Sequence, residues 1–454
     1  MTMTQHFKFN ETITTKIDNL SHDGRGIAHI NGKITFIENA LPNEVVVFRY
    51  THKQSKFDEG VATEIISPMP ERVTPRCQHF GICGGCSLQH MDSHTQIQFK
   101  QQHLLEQLQH FGGIQPKKIL PPIIGPVWQY RHKARLGVKY VAKKDKAMVG
   151  FREKHSRYLA DLDQCEVLSP PVGTMITNLK LLIQSLDART QIPQIEVAIS
   201  NSISPDNYSK NSGPVALIFR HLTALSATDL SNMVRFAQEN TIDLYLQPGG
   251  PDSVHLLWPS EGKNQIYYQF PEFGLELLFH PCDFSQVNPA INQQMIKQAI
   301  SLLEPKADET ILDLFCGFGN FTLPLAKVAK QVVGIEGDSK MVARARSNAQ
   351  HNQIENAEFF MANLSDEKSY GQWSRRFYNK VLLDPPRSGA QATLPFINQC
   401  APERIVYISC NPATLARDAG ILAATFHYQL DKVGVLDMFP HTSHVESMAV
   451  FEKV

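Results

Sequence analysis

The chain has 454 residues, of which 42% are hydrophobic and 19% charged, and its 44 basic side chains balance 44 acidic ones. This length exceeds that of one ordinary domain, and the composition is that of a globular protein. No run of about 18 apolar residues exists to span a membrane, the first residues lack the pattern of a secretory signal, and a net charge of zero gives no hint of a nucleic-acid partner. We therefore expect two or three domains, a cytoplasmic location, no membrane contact and no obligate protein partner.

Residues 8 to 67 predict a small all-β barrel. Short runs of alternating apolar and polar residues occupy positions 33–37 and 44–48, and glycines and a Leu-Pro-Asn turn at 41–43 separate them. Five-stranded barrels of this kind often bind oligonucleotides, although the fold alone does not decide function. We place the first domain at residues 1–67.

A mixed α/β domain is expected over residues 68–270. A helix is predicted over 92–111, because Ile97, Leu104, Leu108 and Phe111 keep helical spacing and Gly112-Gly113 follows them. This helix could pack on the C-terminal domain. Strand-like runs at 195–200 and 215–220 and a helix near 225–240 follow, and we assign no functional role to residues 170–270.

Three cysteines crowd into ten residues of this region, at Cys77, Cys83 and Cys86, and Cys165 lies further along. In a reducing compartment, crowded cysteines more often bind a metal or a cluster than pair as disulfides. Four thiolates suit tetrahedral zinc as well as an iron–sulfur cluster. The residues alone leave both possibilities open.

A basic stretch runs from Gln129 to Tyr158. It holds ten lysines and arginines against two acidic residues, and the aromatic residues Tyr130, Tyr140, Phe151 and Tyr158 are interleaved with them. Such a stretch could follow a phosphate backbone and stack on bases. A solvated basic face is an equally good interpretation of the same residues.

Residues 271–454 predict a doubly wound, Rossmann-like α/β domain, because buried strands alternate with helices. We expect strands at 310–315, 331–336, 357–361, 380–384, 404–409, 428–436 and 447–451. Ligands of such domains bind at the carboxyl edge of the parallel strands. The chemistry is therefore sought in the residues that follow each strand.

The turn after the first of these strands predicts an adenosine-type ligand. Cys316-Gly317-Phe318-Gly319 opens a helix, and Glu336 ends the next strand, where a carboxylate accepts hydrogen bonds from ribose hydroxyls. A NAD-dependent dehydrogenase would use similar parts. The third glycine of the pyrophosphate-binding pattern is missing, and this loss, together with Asp313-Leu314-Phe315-Cys316-Gly317, resembles the first motif of methyltransferases that use S-adenosylmethionine, which favours that ligand.

Three segments further along the chain predict covalent chemistry. Asp384 precedes two prolines and Arg387, and Cys410 follows the fifth strand of the domain. Carbon 5 of uracil is a poor nucleophile, but a thiolate that adds to carbon 6 makes carbon 5 able to accept a methyl group. A base must then remove the proton on carbon 5. Glu446 is the carboxylate we favour, with His441 and His444 as alternatives, since histidine titrates near neutral pH.

These segments resemble the motifs of the RNA uracil-5-methyltransferase family, from Asp384-Pro385-Pro386-Arg387 through Ser409-Cys410-Asn411-Pro412 to His441–Met448. The resemblance implies that Cys410 is the nucleophile and Glu446 the base. Phe284–Asn288 also resembles the family's segment ahead of the cofactor domain. By the same resemblance, the residues expected around S-adenosylmethionine are Gln286, Phe315, Asn320, Glu336, Asn363 and Asp384, although Asp384 could face the uracil instead.

The N-terminal part resembles one branch of that family. Positions 20–26, 36–44 and 68–72 resemble the RNA-binding TRAM barrel, which the tRNA branch lacks. Cys77, Cys83, Cys86 and Cys165 resemble the [4Fe-4S] site of the branch that acts on large-subunit ribosomal RNA. This implies a central iron–sulfur domain, a class I methyltransferase domain and methylation of a uridine in 23S ribosomal RNA. The alternatives are a tRNA uridine or cytosine methyltransferase and a non-catalytic, cluster-bearing RNA-binding factor for ribosome assembly.

Overall fold

The computed structural model of the protein describes residues 12–201, 212–260 and 266–454. Three β-sheets organise these residues along the chain. The first residues of the predicted barrel, 8–11, and positions 202–211 and 261–265 of the predicted central domain lie outside the described residues. No helix of the described residues is long and apolar enough to cross a membrane.

The first sheet is the predicted barrel. Its strands are β1 (Thr12–Lys16), β2 (Asn19–Leu20), β3 (Gly26–Ile30), β4 (Lys33–Glu38), β5 (Val45–Lys53) and β6 (Phe57–Ser67), in the order β1-β5-β6-β4-β3-β2. Every second residue of β5 points inward, so that Val46, Phe48 and Tyr50 are buried. They form the barrel core with Ile17, Ala28 and Ile37.

Helix α1 (Ser93–Gln107) connects the barrel to the rest of the molecule, and the strand β7 (Lys118–Ile119) follows it. Asp92 caps α1, since its carboxylate accepts the amide of His94 at 2.9 Å. A π-helical turn, Leu108–Gly112, ends at Gly113 in the left-handed conformation. The predicted helix is confirmed. The predicted apolar stripe is wrong at its last residue, because Phe111 lies in the π-helical turn and is 67% exposed.

The second sheet gathers the central part of the chain. Its elements are β8 (Lys133–Val141), β9 (Lys146–Gly150), α2 (Ile176–Ser185), β10 (Gln194–Asn201), β11 (Ser212–Arg220), α3 (Ala227–Asn240), β12 (Asp243–Gln247), β13 (His255–Trp258), β14 (Ile266–Phe270) and β15 (Leu275–Phe279). Strands β14 and β15 pair antiparallel, so the sheet continues past the predicted boundary at residue 270.

The third sheet is the predicted doubly wound one. Its elements are α4 (Pro289–Leu303), β16 (Thr310–Leu314), α5 (Thr322–Ala326), β17 (Gln331–Glu336), α6 (Ser339–His351), β18 (Ala357–Met361), β19 (Lys380–Leu383), α7 (Leu394–Cys400), β20 (Arg404–Ser409), α8 (Pro412–Ala424), β21 (Tyr428–Leu436) and β22 (Glu446–Lys453). The order is β18-β17-β16-β19-β20-β22-β21-β7. Strands β16 to β20 run parallel, and β22 is antiparallel to β20 and β21.

Helix α1 packs on this third sheet. Ile97, Leu104 and Leu108 are buried in the same apolar cluster as the strand residues Leu312, Val381 and Tyr407. The backbone at Gly112 lies against α8, where a Cβ atom would come within 2.7 Å of the carbonyl oxygen of Ala416. Helix α1 thus precedes the second sheet in sequence but packs on the C-terminal domain.

Candidate active site and cysteine cavity

The carboxyl edge of the third sheet brings the predicted site residues together. Strands β17, β16, β19 and β20 are neighbours and parallel. Glu336 ends β17, and Phe315, Asp384 and Cys410 directly follow β16, β19 and β20. Residues that follow parallel strands meet at one edge, so the cofactor turn and the thiol share a single face of the domain.

The register of β20 and β22 sets Cys410 opposite Glu446. Ser409 pairs with Ser447 in the antiparallel ladder, and the Ser447 hydroxyl donates to the Ser409 carbonyl at 3.1 Å. Cys410 is the next residue on one strand and Glu446 the preceding residue on the other. Cross-strand neighbours of this kind lie on the same side of the sheet with Cβ atoms about 5 Å apart.

Burial and the neighbouring carboxylates disfavour ionisation of both groups. Burial raises the pKa of the Cys410 thiol to about 11, the nearby carboxylates of Glu446 and Asp384 add to this, and Arg387 opposes it. Burial likewise raises the pKa of Glu446 well above its usual value, and Asp384 adds to the effect. A group with such a perturbed pKa in a cleft is a candidate for catalysis. Glu446 is close enough to Cys410 to raise the pKa of the thiol, and the roles of the two residues stay a prediction.

Asp384 links the thiol to the segment ahead of the cofactor turn. Its pKa is raised to about 7 by burial. The amide of Gln286 lies 3.5 Å from its carboxylate, at the limit of a hydrogen bond, and the Tyr268 hydroxyl donates to the Gln286 carbonyl at 2.7 Å. Gln286 therefore stands beside Asp384, whereas no feature of the sequence had pointed to Tyr268.

The turn after β16 carries the predicted adenosine contacts. Phe315, Gly317 and Gly319 all have positive φ, at 65°, 55° and 98°, and glycine adopts this conformation without strain. The Glu336 carboxylate accepts the amides of Gly317 and Asp338, each at 3.0 Å. One carboxylate thus holds the turn and remains partly exposed beside it.

The remaining predicted cofactor residues lie around this turn. Asn320 exchanges two side-chain hydrogen bonds with Asn292 of α4, at 2.9 and 3.0 Å. Asn363 is exposed two residues after β18, and its side chain accepts the amide of Ser365 at 3.1 Å. Asn292 was not predicted, because a polar residue in an amphipathic helix carries no distinguishing signal.

The four predicted metal-binding cysteines line one cavity of about 220 Å³. Burial raises the pKa of Cys86 to about 12, with Cys165, Cys83 and Cys77 all near enough to contribute. The amide of Gly85 lies 3.4 Å from the Cys83 sulfur. Among the described residues, no group of three or more potential ligands is arranged around a single ion position. Four clustered thiols fit an iron–sulfur cluster in donor type and number.

The two histidines considered as bases have other surroundings. The pKa of His441 is lowered to about 4 by burial. Its ring stacks on that of Trp128 with the ring centroids 3.8 Å apart, and its Nδ1 lies 3.2 Å from the side-chain amide of Gln96. His444 is exposed and lines the cysteine cavity. Neither histidine stands opposite Cys410 in the β20–β22 register, as Glu446 does.

The basic stretch is only partly available to a ligand. Tyr130 is 4% exposed, and its hydroxyl donates to the Pro440 carbonyl at 3.0 Å, so the idea that it stacks on a base is wrong. Arg135 pairs with Glu196 at 2.8 Å. Lys139, Lys143 and Lys144 are exposed, as is Tyr158. A smaller cationic surface remains than the sequence suggested.

Comparisons with known proteins identify the family of the chain. The family model described as tRNA (Uracil-5-)-methyltransferase matches residues 278–454, and the model of the TRAM domain matches residues 8–57. The chain is 51% identical over 438 residues to the 23S rRNA (uracil(1939)-C(5))-methyltransferase RlmD of Alcanivorax borkumensis, with 96% of each chain covered. The chain belongs to the RNA uracil-5-methyltransferase family.

Other members of the family extend the match over the whole chain. The proteins of the same name from Hahella chejuensis and Legionella pneumophila are each 48% identical, and the matches cover 98% and 97% of each chain. A solved structure, the tRNA (uracil-54, C5)-methyltransferase of Pyrococcus abyssi in complex with S-adenosyl-L-homocysteine, superposes with a TM-score of 0.72 at 24% identity. It covers 97% of this chain and 100% of that one. This likeness supports the fold.

Family membership decides between the ligands that the turn left open. The protein is an S-adenosylmethionine-dependent RNA uracil-5-methyltransferase with an N-terminal TRAM domain and a C-terminal class I methyltransferase domain. The dehydrogenase alternative is wrong, because the family model covers every strand of the third sheet from β16 to β22. The roles of individual residues do not follow from the match and are proposed below.

Proposed function

We propose that the protein methylates carbon 5 of one uridine in 23S ribosomal RNA, at the position equivalent to that named for its relatives. The observation that carries the chemistry is the placement of Cys410 opposite Glu446 beside the Glu336 turn. The ribosomal substrate rests on relatives that match almost end to end at about half identity. We keep the expected domains 1–67, 68–270 and 271–454 with one change: the second boundary moves past Phe279, because β14 and β15 pair within one sheet.

Cys410 acts as the nucleophile in this proposal. Its thiol first gives a proton to water, and the thiolate sulfur then forms a bond to carbon 6 of the uracil while the ring electrons move toward carbon 5 and the carbonyl oxygen. Burial opposes ionisation of the thiol, so the cationic Arg387 and the positive charge of the methyl donor favour the thiolate when the substrates are bound. S-adenosylmethionine supplies the methyl group as an electrophilic sulfonium.

Glu446 acts as the base that completes the reaction. Once carbon 5 carries the methyl group, its remaining proton passes to the carboxylate, the carbon 5–carbon 6 double bond re-forms, and the bond to the Cys410 sulfur breaks. Burial raises the pKa of Glu446 and Arg387 opposes this rise, so Arg387 and the positive charge of the methyl donor favour the ionised carboxylate that accepts the proton. Asp384, beside both groups, is placed to bind the uracil ring or the cofactor.

The residues proposed to hold S-adenosylmethionine are Gln286, Phe315, Asn320, Glu336, Asn363 and Asp384. Glu336 is best placed for ribose hydroxyls, since its carboxylate stands at the end of β17 and is partly exposed. The positive φ of Phe315 opens the backbone toward the same edge. The remaining four residues surround this turn and its neighbouring strands.

The cysteine cavity is proposed to hold a [4Fe-4S] cluster on Cys77, Cys83, Cys86 and Cys165. The pKa values of all four thiols are raised, chiefly by burial, so the sulfurs become good ligands only when bound metal displaces their protons. The cavity lies beside exposed basic residues and the TRAM barrel. We propose that this part of the molecule binds the RNA while the target uridine leaves its stack and enters the site.

Product analysis tests the proposal. The protein is incubated with S-adenosylmethionine and unmodified 23S ribosomal RNA or unmodified tRNA, and the digested nucleosides are examined by mass spectrometry. We expect 5-methyluridine from ribosomal RNA only, and its loss in Cys410→Ala. Cys400→Ala is the matched control, since that half-buried cysteine ends α7 away from the site. Product on tRNA alone would move the protein to the tRNA branch, and methylcytidine would refute the uracil chemistry.

A further inference from the structure

The 437–445 segment joins β21 to β22 and leads directly into Glu446. Residues from outside the third sheet hold this segment from Asp437 to Ser443. The contacts of these residues play no part in the chemistry described so far. They form what we call the clamp: Ser87, Leu88, Gln96, Lys100, Trp128 and Tyr130.

Helix α1 supplies the polar side chains of the clamp. Lys100 is fully buried, and its ammonium donates to the Asp437 carboxylate at 2.7 Å and to the Phe439 carbonyl at 2.9 Å. One turn earlier, the Gln96 side chain accepts the amide of His441 at 2.8 Å. Gln96 and Lys100 are thus polar side chains on a helix face that otherwise buries apolar residues. Burial of an ammonium group costs free energy unless the group is paired.

The cysteine-bearing part of the chain completes the clamp. The amides of Ser87 and Leu88, directly after Cys86, donate to the His441 carbonyl at 2.9 and 3.0 Å. Tyr130 donates to the Pro440 carbonyl, and Trp128 stacks on the His441 ring. His441 is thus held through its amide, its carbonyl and its ring at once.

The backbone of His441 explains why so many contacts are needed. Its φ of 65° lies in the left-handed region, which a residue with a side chain adopts at a cost of about 1–3 kcal/mol. Such a conformation persists only where the surroundings impose it. Without the clamp the segment would relax, and the residue at its end would no longer meet the thiol in the same geometry.

We propose that Gln96 and Lys100 are positioning residues for Glu446, which they fix through the 437–445 segment. This inference rests on the proposed roles of Cys410 and Glu446. If the clamp loosens, attack by Cys410 and methyl transfer proceed, but removal of the carbon 5 proton slows, because the carboxylate is displaced from that proton. The methylated, enzyme-bound RNA then accumulates, since elimination of the Cys410 sulfur requires that proton to leave.

The test uses the complete protein, S-adenosylmethionine and ordinary uridine-containing 23S ribosomal RNA. We compare the parent with Gln96→Leu, the charge-neutral pair Lys100→Met/Asp437→Leu, and Tyr130→Phe, which deletes one hydroxyl. The readouts are kcat, KM and the fraction of enzyme that runs as a denaturation-resistant RNA adduct. For the first two variants we expect kcat to fall by about 100-fold and KM to fall with it, so that kcat/KM changes by less than about twofold, while the adduct increases, because only a step after methyl transfer is slowed. Tyr130→Phe should show a smaller change of the same kind.

Two controls separate positioning from simple loss of stability. Lys380→Met breaks another buried ion pair of the same domain, with Glu309 at 2.9 Å, at the opposite end of the sheet, and Gln102→Leu changes an exposed glutamine of α1. Neither should accumulate adduct, even if Lys380→Met lowers the melting temperature. Clamp variants that lose activity only in proportion to folded protein, with no rise in adduct, would overturn the inference. A parent that makes no 5-methyluridine would instead refute the proposed function.

Discussion

Replacement of Asp384 by asparagine should stabilise the protein while it abolishes activity. Burial raises the pKa of this carboxyl from 3.8 to about 7, and each pKa unit corresponds to about 1.4 kcal/mol. The ionised form therefore costs the folded state at most about 4 kcal/mol at pH 8. Because the side chain keeps partial access to solvent, screening reduces this, and we expect a gain of about 2 kcal/mol for Asp384→Asn.

The gain should depend on pH in a defined direction. An acid whose folded-state pKa is raised stabilises the folded state below its unfolded pKa, near 4, and that contribution is lost as the pH rises through about 7. The advantage of Asp384→Asn should thus be roughly a third of its full size at pH 5 and largest at pH 8, where it corresponds to an increase in melting temperature of roughly 4–8 °C. Thermal unfolding followed by circular dichroism at both pH values measures it.

A second buried aspartate provides the control. Asp418 is fully buried, but its carboxylate accepts the Ala390 amide and the Tyr407 hydroxyl, each at 2.7 Å. Asp418→Asn should therefore destabilise the protein, by about 2 kcal/mol, because the charged acceptor is lost. If Asp384→Asn also lowers the melting temperature at pH 8, the claim that the buried Asp384 carboxylate destabilises the folded protein is refuted.

Three further predictions concern the cofactor, the thiol and the cysteine cavity. Glu336→Gln should weaken equilibrium binding of S-adenosylmethionine by about 10- to 100-fold in calorimetry, since charged acceptors contribute about 1.5–3 kcal/mol; unchanged affinity would contradict the ribose contact. The rate of Cys410 alkylation by iodoacetamide, followed by mass spectrometry, should rise about tenfold per pH unit from pH 8 to pH 10, because the thiolate fraction keeps rising until the pH reaches the pKa of about 11. A plateau above pH 9 would indicate a thiol with an ordinary pKa. Cys165→Ser should reduce the iron content and the visible absorbance of anaerobically purified protein, and zinc in stoichiometric amount in the parent would show that the cavity holds zinc instead.

The sequence predicted the third sheet well, because long apolar strands ending in glycine, aspartate or cysteine are a strong local signal. All seven predicted strands of that domain are present, with ends that differ by no more than two residues. The clamp was not predictable. Gln96 and Lys100 are ordinary polar residues of a helix, and only the packing of α1 on β21 and α8 brings them to a segment more than 300 positions away.

The misses have the same origin. Phe111 has helical spacing with the buried stripe of α1, but the π-helical turn rotates it to the surface. Tyr130 sits among basic residues in the sequence, although its hydroxyl is committed to Pro440. Local patterns report which elements form, while tertiary contacts decide which side chains remain free for a ligand.

The most direct test of the account is to trap the covalent step. The protein and S-adenosylmethionine are mixed with 23S ribosomal RNA fragments that carry 5-fluorouridine, whose fluorine cannot leave carbon 5 as a proton. We predict a denaturation-resistant protein–RNA adduct that peptide mass spectrometry locates at Cys410 and that Cys410→Ala does not form. An adduct at another residue, or none with RNA that the enzyme binds, would contradict the central claim that Cys410 attacks the uracil ring.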